Sequence, residues 1–229
     1  MKGSGFWTAE SSQTPQPYHQ ADAAQTMSSV QRVKIVCFGD STTAGTPAFL
    51  SPIEAPPNGS GDEKSQYAYW MGKGHLEWEV LNRGVNGERT DQILSRFQRD
   101  VAAENPKWVI VLGGVNDIYQ GFPMDFAERN LAEIYELAVK VGSTPIACTV
   151  LPYNSMSRGQ SRARIELNMW IQAEAKKRSI PFVDTAAAVA KNGEPDKLEG
   201  TPDGLHPGVG GYREMGRAIS TVLEQQPHG

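Results

Sequence analysis

Ser41, Asp203 and His206 are the residues whose types and spacing could carry nucleophilic chemistry. A serine hydroxyl attacks an acyl carbon well only when a neighbouring base takes its proton. The chain has four histidines. His19 lies in a polar N-terminal stretch and His228 in the final dipeptide, which leaves His75 and His206. His206 has Asp203 three residues upstream, close enough for the carboxylate to reach the imidazole Nδ1–H within one turn. A carboxylate so placed holds the tautomer and stabilises the imidazolium formed during proton transfer. The plainer alternative is a surface turn in which Asp203 only caps the helix that follows.

Acyl transfer also needs donors for the oxyanion that develops on the attacked carbonyl. Gly87, lacking a Cβ, can present its N–H at close range. Asn116 can offer a side-chain amide, and the Ser41 N–H would be a third donor. Taken singly, Gly87 also reads as a turn glycine and Asn116 as an Asx-turn residue. Asp40 and Asp117 read as structural, hydrogen-bonding the turns that aim Ser41 and Asn116.

These residues need a frame that brings distant stretches to one edge. Val33 to Phe38 is an almost wholly apolar run ended by Gly39, the pattern of a central parallel strand buried on both faces. Further strands are expected over Glu77–Asn82, Trp108–Leu112, Pro145–Leu151 and Pro181–Asp184. Between them, Gln66–His75 suggests a short helix, and Thr90 would cap a helix carrying Ile93, Leu94, Phe97 and Val101. Asp125 with Glu128 resembles a capping box for a helix that buries Leu131, Ile134, Leu137, Ala138 and Val141 and stops at Gly142. A fourth main helix is expected over Arg162–Arg178. The last starts near Pro207 with Tyr212, Met215, Ile219, Val222 and Leu223 facing inward. Strands alternating with helices predict an α/β fold, a three-layer α/β/α domain on a parallel sheet. In such sheets ligands collect at the carboxyl ends of the strands, where Ser41 lies.

The 229 residues suit one domain with a substantial core. Residues 1–30, rich in Ser, Thr, Gln, Pro and Ala, read as a polar N-terminal extension that Phe6, Trp7 and Tyr18 could dock on a body at 31–229. Residues 47–61 hold four prolines and Asn58-Gly59, a long loop that either walls a pocket or forms a disordered insertion. A net charge of −4 gives no reason to expect nucleic acid. The basic residues from Arg158 to Arg178 read as a solvated helix face. Cys37 and Cys148 read as small core residues. No apolar run reaches the length of a membrane span, and the N-terminus lacks the apolar stretch of a secretory signal. A cytoplasmic location is therefore the default expectation, with secretion the alternative if a leader has been removed.

Gly39-Asp40-Ser41, the glycine at 87, Gly114-x-Asn116-Asp117 and Asp203-x-x-His206-Pro207, with Gly211-Tyr212 and Met215, resemble the blocks of the SGNH hydrolases, also called GDSL esterases and lipases. The resemblance runs in the family's order over about residues 33–223. It implies a flavodoxin-like strand order of 2-1-3-4-5, a nucleophile at Ser41, a base at His206 and its orienter at Asp203. It also implies an oxyanion hole of the Ser41 N–H, Gly87 and Asn116, and no metal or other cofactor. Thr42-Thr43 departs from the hydrophobic residue that many members carry there, which bears on pocket lining. The expected substrate is a small-molecule carboxylic ester, with short acyl or acetyl groups favoured. Tyr119, Phe122 and Tyr153 are placed to line its pocket, although core packing would explain each equally well.

Other readings stand beside this one. A flavodoxin-like FMN-binding module could use the hydroxyls from Ser41 to Thr46, but would leave Asn116, Asp203 and His206 without a task. Acyl transfer to an alcohol and thioester hydrolysis would use the same residues. No Gly-x-Ser-x-Gly elbow and no His-Glu-x-x-His occurs, and His75 with Glu77 is a weak metal pair. Oligomeric state is not legible in the sequence.

Overall fold

In the computed structural model, residues 32–226 are described, together with Met1 and Gly3. The expected extension, with Phe6, Trp7, Tyr18 and His19, and the terminal His228 lie outside the described residues.

Five parallel strands form the central sheet: β1 (Val33–Gly39), β2 (Trp78–Gly84), β3 (Trp108–Leu112), β4 (Thr144–Cys148) and β5 (Phe182–Val183). Their order is β2-β1-β3-β4-β5, the 2-1-3-4-5 arrangement expected of the family. β1 pairs with β2 on one side and β3 on the other, Cys37 standing opposite both Asn82 and Ile110. Because side chains alternate along a strand, β1 feeds two cores. Ile35 and Cys37 join Trp108, Ile110 and Leu112 on one face, while Val36 and Phe38 join Val109 and Val111 on the other. All four of these β1 residues are fully buried, which is why the run lacks polar positions.

The first face is covered by helix α1 (Tyr67–Gly74) and by α5 (Val209–Glu224), through Tyr67, Met71, Tyr212, Met215, Ile219 and Leu223. The opposite face is covered by α2 (Thr90–Ser95), α3 (Met124–Lys140) and α4 (Arg158–Arg178), through Ile93, Leu131, Ile134, Leu167 and Ile171. Both cysteines are buried free thiols.

Several local expectations are corrected. Thr90 does not cap α2, because its hydroxyl donates to Asp117. The cap position falls to Arg89, whose N–H is accepted by the Gln92 side chain. That helix also breaks at Arg96, and Phe97–Asp100 forms a separate turn. Asp125 and Glu128 make no capping box: Pro123 precedes the helix, and Asp125 pairs with Arg129 one turn on. Ser157 with Gln160 makes the box instead, starting α4 at Arg158. The basic face of α4 is not wholly solvated, since Arg164 is buried against Asp196 and Glu174 is buried beneath Lys177 and Arg178. The fourth strand stops at Cys148, short of Leu151, whereas α5 begins at Val209, near Pro207 as expected.

Residues 47–61 form a built loop, in which Phe49–Leu50 pairs antiparallel with Ser60–Gly61. The loop is tied to the end of β2: the Ser51 hydroxyl donates to the Gly84 carbonyl at 2.6 Å, and Glu54 accepts the Asn86 N–H at 2.9 Å. Among the described residues, no helix is long and apolar enough to cross a membrane.

Candidate active site

β1 ends at Gly39, and the chain turns at once into a four-residue helix, Ser41–Ala44. Asp40 caps it, accepting the Thr42 N–H at 3.0 Å. Gly45, at φ 110°, closes the turn through an N–H bond to the Ser41 carbonyl. Gly39 cannot carry a side chain here, because a Cβ would stand 2.1 Å from the Leu112 carbonyl oxygen. Ser41 thus sits at the carboxyl edge of the sheet on a turn whose shape is set from both ends.

His206 arrives from the far end of the chain, and its Nε2 lies 2.9 Å from the Ser41 Oγ. Its Nδ1 lies 2.7 Å from Asp203 Oδ2. A carboxylate partner requires the hydrogen on Nδ1, which leaves Nε2 to accept the serine hydroxyl. The other Asp203 oxygen accepts the N–H groups of Leu205 and His206, at 2.9 and 2.8 Å. Partial burial pushes the Asp203 carboxyl up, but these bonds outweigh it and hold the group below the usual range. Asn154 fixes the loop by donating its N–H to the Gly204 carbonyl and accepting that of Leu198. Asp184 and Asp196 are engaged elsewhere: Asp184 accepts from Thr149 and Ala187, and Asp196 from Arg164.

Besides the Ser41 N–H, the expected oxyanion donors are Gly87, on the loop after β2, and Asn116, on the helical turn Val115–Tyr119, and these two segments touch. Gly87 is exposed after β2 at φ 77°, a left-handed conformation that suits glycine. The Asn116 amide donates to the carbonyl of Glu88, the next residue, at 2.9 Å. Asp117 is buried, and burial raises its carboxyl despite the bonds from Thr90. Asp40 is buried too. Burial, opposed by the Thr42 N–H and assisted by the charges of Asp117 and Glu88, pushes its carboxyl up to about 7.

The three expected pocket residues are placed differently. Tyr119 is 63% exposed and meets the buried Tyr153 ring edge-on at 6.1 Å. Phe122 is half-buried, under the Arg89 guanidinium at 4.7 Å. His75 is remote from these groups: it stacks on Trp78 and lies between Glu77 and Glu224.

Sequence reasoning missed the residues that hold this edge together. Ser51, Glu54, Asn154 and above all Arg96 carry no local signal, because each acts on a partner far away in the chain. Arg96 falls between Leu94 and Phe97 of the expected helix and is not among the positions expected to face inward.

A hydroxyl bonded to an oriented imidazole, beside a loop glycine and a side-chain amide, can attack an acyl carbon and stabilise the charge that results. The chain is similar to proteins named as esterases or lipolytic proteins. The acetylxylan esterase of Geobacillus stearothermophilus is 26% identical over 154 residues, 61% of this chain and 69% of that protein. A structure assigned to the lipolytic G-D-S-L family from Desulfitobacterium hafniense DCB-2 superposes with a TM-score of 0.70 at 27% identity, covering 84% of this chain and 100% of the other. A GDSL-like lipase from Bacteroides thetaiotaomicron VPI-5482 gives 0.68 at 25% identity, over 89% and 95%. The family pattern itself matches residues 37–214, from within β1 to within α5, and the chain belongs to the GDSL-like lipase/acylhydrolase family.

Proposed function

We propose that the protein is a serine esterase that hydrolyses carboxylic esters of acetyl or other short acyl groups. The observation that carries this reading is the pair of contacts made by His206, to Ser41 at 2.9 Å and to Asp203 at 2.7 Å. In the first half-reaction Ser41 Oγ bonds to the acyl carbon as its proton passes to His206 Nε2. The tetrahedral oxyanion is met by the Ser41 and Gly87 N–H groups and the Asn116 side chain. His206 then protonates the departing alkoxide, leaving the acyl group on Ser41. In the second half-reaction a water molecule replaces the alcohol, His206 takes its proton, and the acid leaves as Ser41 regains its hydrogen. Asp203 remains ionised throughout.

The similarity to an acetylxylan esterase favours a small acyl group. The test is turnover of nitrophenyl esters graded from acetyl to long acyl chains, by the wild type, Ser41→Ala and His206→Ala. The acetyl and short-chain esters should be hydrolysed fastest, and both variants should lose nearly all turnover. A Ser41→Ala protein that keeps most of its activity would overturn the mechanism, and a preference for long chains would overturn the substrate class.

A further inference from the structure

We infer that Arg96 is a positioning residue for the oxyanion donors, holding the end of β1 behind Ser41 and the loop of Gly87 in one fixed frame. This rests on the esterase reading above. The Arg96 side chain is 5% exposed, and its planar fork is used in three directions. Nη2 donates to the Gly39 carbonyl at 2.8 Å. Nη1 donates to the Arg83 carbonyl at 2.9 Å and to Asp100 at 2.5 Å. Nε donates to Glu88 at 2.5 Å. The guanidinium also lies over the Phe38 ring, 4.9 Å from its centre.

Two of these partners, the Gly39 carbonyl and the Glu88 carboxylate, belong to segments that carry a donor. Gly39 is two residues before Ser41, and Glu88 directly follows Gly87. The Glu88 carbonyl in turn accepts the Asn116 amide at 2.9 Å. All three proposed donors therefore belong to segments joined through one guanidinium. Glu54 secures the other side of the same loop through the Asn86 N–H, so Gly87 lies between two held residues. A buried ion cluster is weak evidence of stabilisation by itself, since apolar side chains of similar volume often serve as well. What apolar side chains cannot do is bind two carbonyls and two carboxylates in a plane. A lysine keeps the charge but loses the fork.

The test measures kcat and KM for nitrophenyl acetate in Arg96→Lys, Asn116→Ala and the double variant, with active sites counted from the burst of nitrophenol. Counting active sites removes any loss due to unfolded protein. Because misplacement of a catalytic group by about 1 Å can lower rate about 100-fold, Arg96→Lys should lower kcat roughly 10- to 100-fold, with KM within about threefold. The double variant should fall no more than about threefold below Asn116→Ala, since both changes disturb the same donor set. A kcat within about twofold of wild type in Arg96→Lys, or losses that multiply in full, would overturn the inference. If Arg96→Lys does not fold, Glu88→Gln serves. It leaves the bonds to Gly39, Arg83 and Asp100 intact, and should still lower kcat severalfold; an unchanged kcat would overturn the proposal. An inert Ser41→Ala alongside an unaffected Arg96→Lys would sink this inference alone, whereas an active Ser41→Ala would sink the esterase reading beneath it.

Discussion

The carboxylate of Asp117 takes two bonds from Thr90, one from its N–H at 3.0 Å and one from its hydroxyl at 2.7 Å. The pair joins the loop after β3 to the start of α2, and so holds Asn116 against the Gly87–Glu88 stretch. Removing the carboxylate leaves a buried N–H and a buried hydroxyl to find other partners. An unsatisfied buried polar group costs about 1–3 kcal/mol. Asp117→Ala should therefore lower unfolding stability by roughly 2–4 kcal/mol, measured by urea denaturation. Thr90→Val, which keeps the N–H bond, should lose less. Thr90→Val also deprives the Asn130 amide of its acceptor at 3.0 Å, so a loss as large as that of Asp117→Ala would place the weight of the cluster on the hydroxyl.

Gly84 and Gly87 lie in one stretch but are glycines for different reasons. A Cβ on Gly84 would stand 2.1 Å from the Ala44 nitrogen, inside the turn that bears Ser41. A Cβ on Gly87 would meet nothing within 4 Å, and only its φ of 77° is unfavourable to other residues. Gly84→Ala should displace the Ser41 turn and destabilise the fold by several kcal/mol, on the order of a severe core overpacking. Gly87→Ala should cost about 1–2 kcal/mol for the left-handed conformation and lose activity out of proportion to its stability. Circular dichroism melts beside kcat/KM separate the two; because alanine keeps the N–H, a Gly87→Ala protein with full activity would mean that position 87 holds its left-handed turn with a Cβ present.

The contrast shows which features are legible in a sequence. β1 could be read because burial on both faces removes every polar position from Ile35 to Phe38. The Asp203–His206 contact was also readable, since a spacing of three residues keeps it local. Thr90 was misread because local preference for a hydroxyl cap competes with a carboxylate 27 residues away. The break in α2 was invisible for the same reason: Arg96 turns inward to the Gly39 carbonyl 57 residues earlier. Ser51 and Glu54 look like ordinary loop residues until β2 is placed beside them.

Asp40 makes stability depend on pH in a definite direction. Its carboxyl is pushed up to about 7 in the folded protein, against about 3.9 in an unfolded chain. Between these values the native state holds a proton that the unfolded state has released. The contribution of Asp40 is therefore fully present below about pH 4 and is lost as pH rises through about 7. Asp40→Asn keeps an oxygen for the Thr42 N–H and has no proton to release. Its stability relative to wild type should rise between pH 5 and pH 8, seen in urea midpoints at both values. A constant difference would show that Asp40 ionises alike in both states.

Asp203→Asn tests the orienting role without disturbing the turn. The amide oxygen can still accept the N–H groups of Leu205 and His206, which Asp203 Oδ1 accepts now. The amide nitrogen, however, would face His206 Nδ1 and donate to it. That places the ring hydrogen on Nε2, where it points at Ser41 and cannot receive the serine proton. The corresponding change in a serine protease triad lowers kcat by about 10⁴, and a loss of that order is expected here, with little change in thermal stability. Asp184 and Asp196 offer no substitute, since each is bound to partners of its own. Turnover close to that of wild type would therefore mean that His206 does not need Asp203 to hold its tautomer.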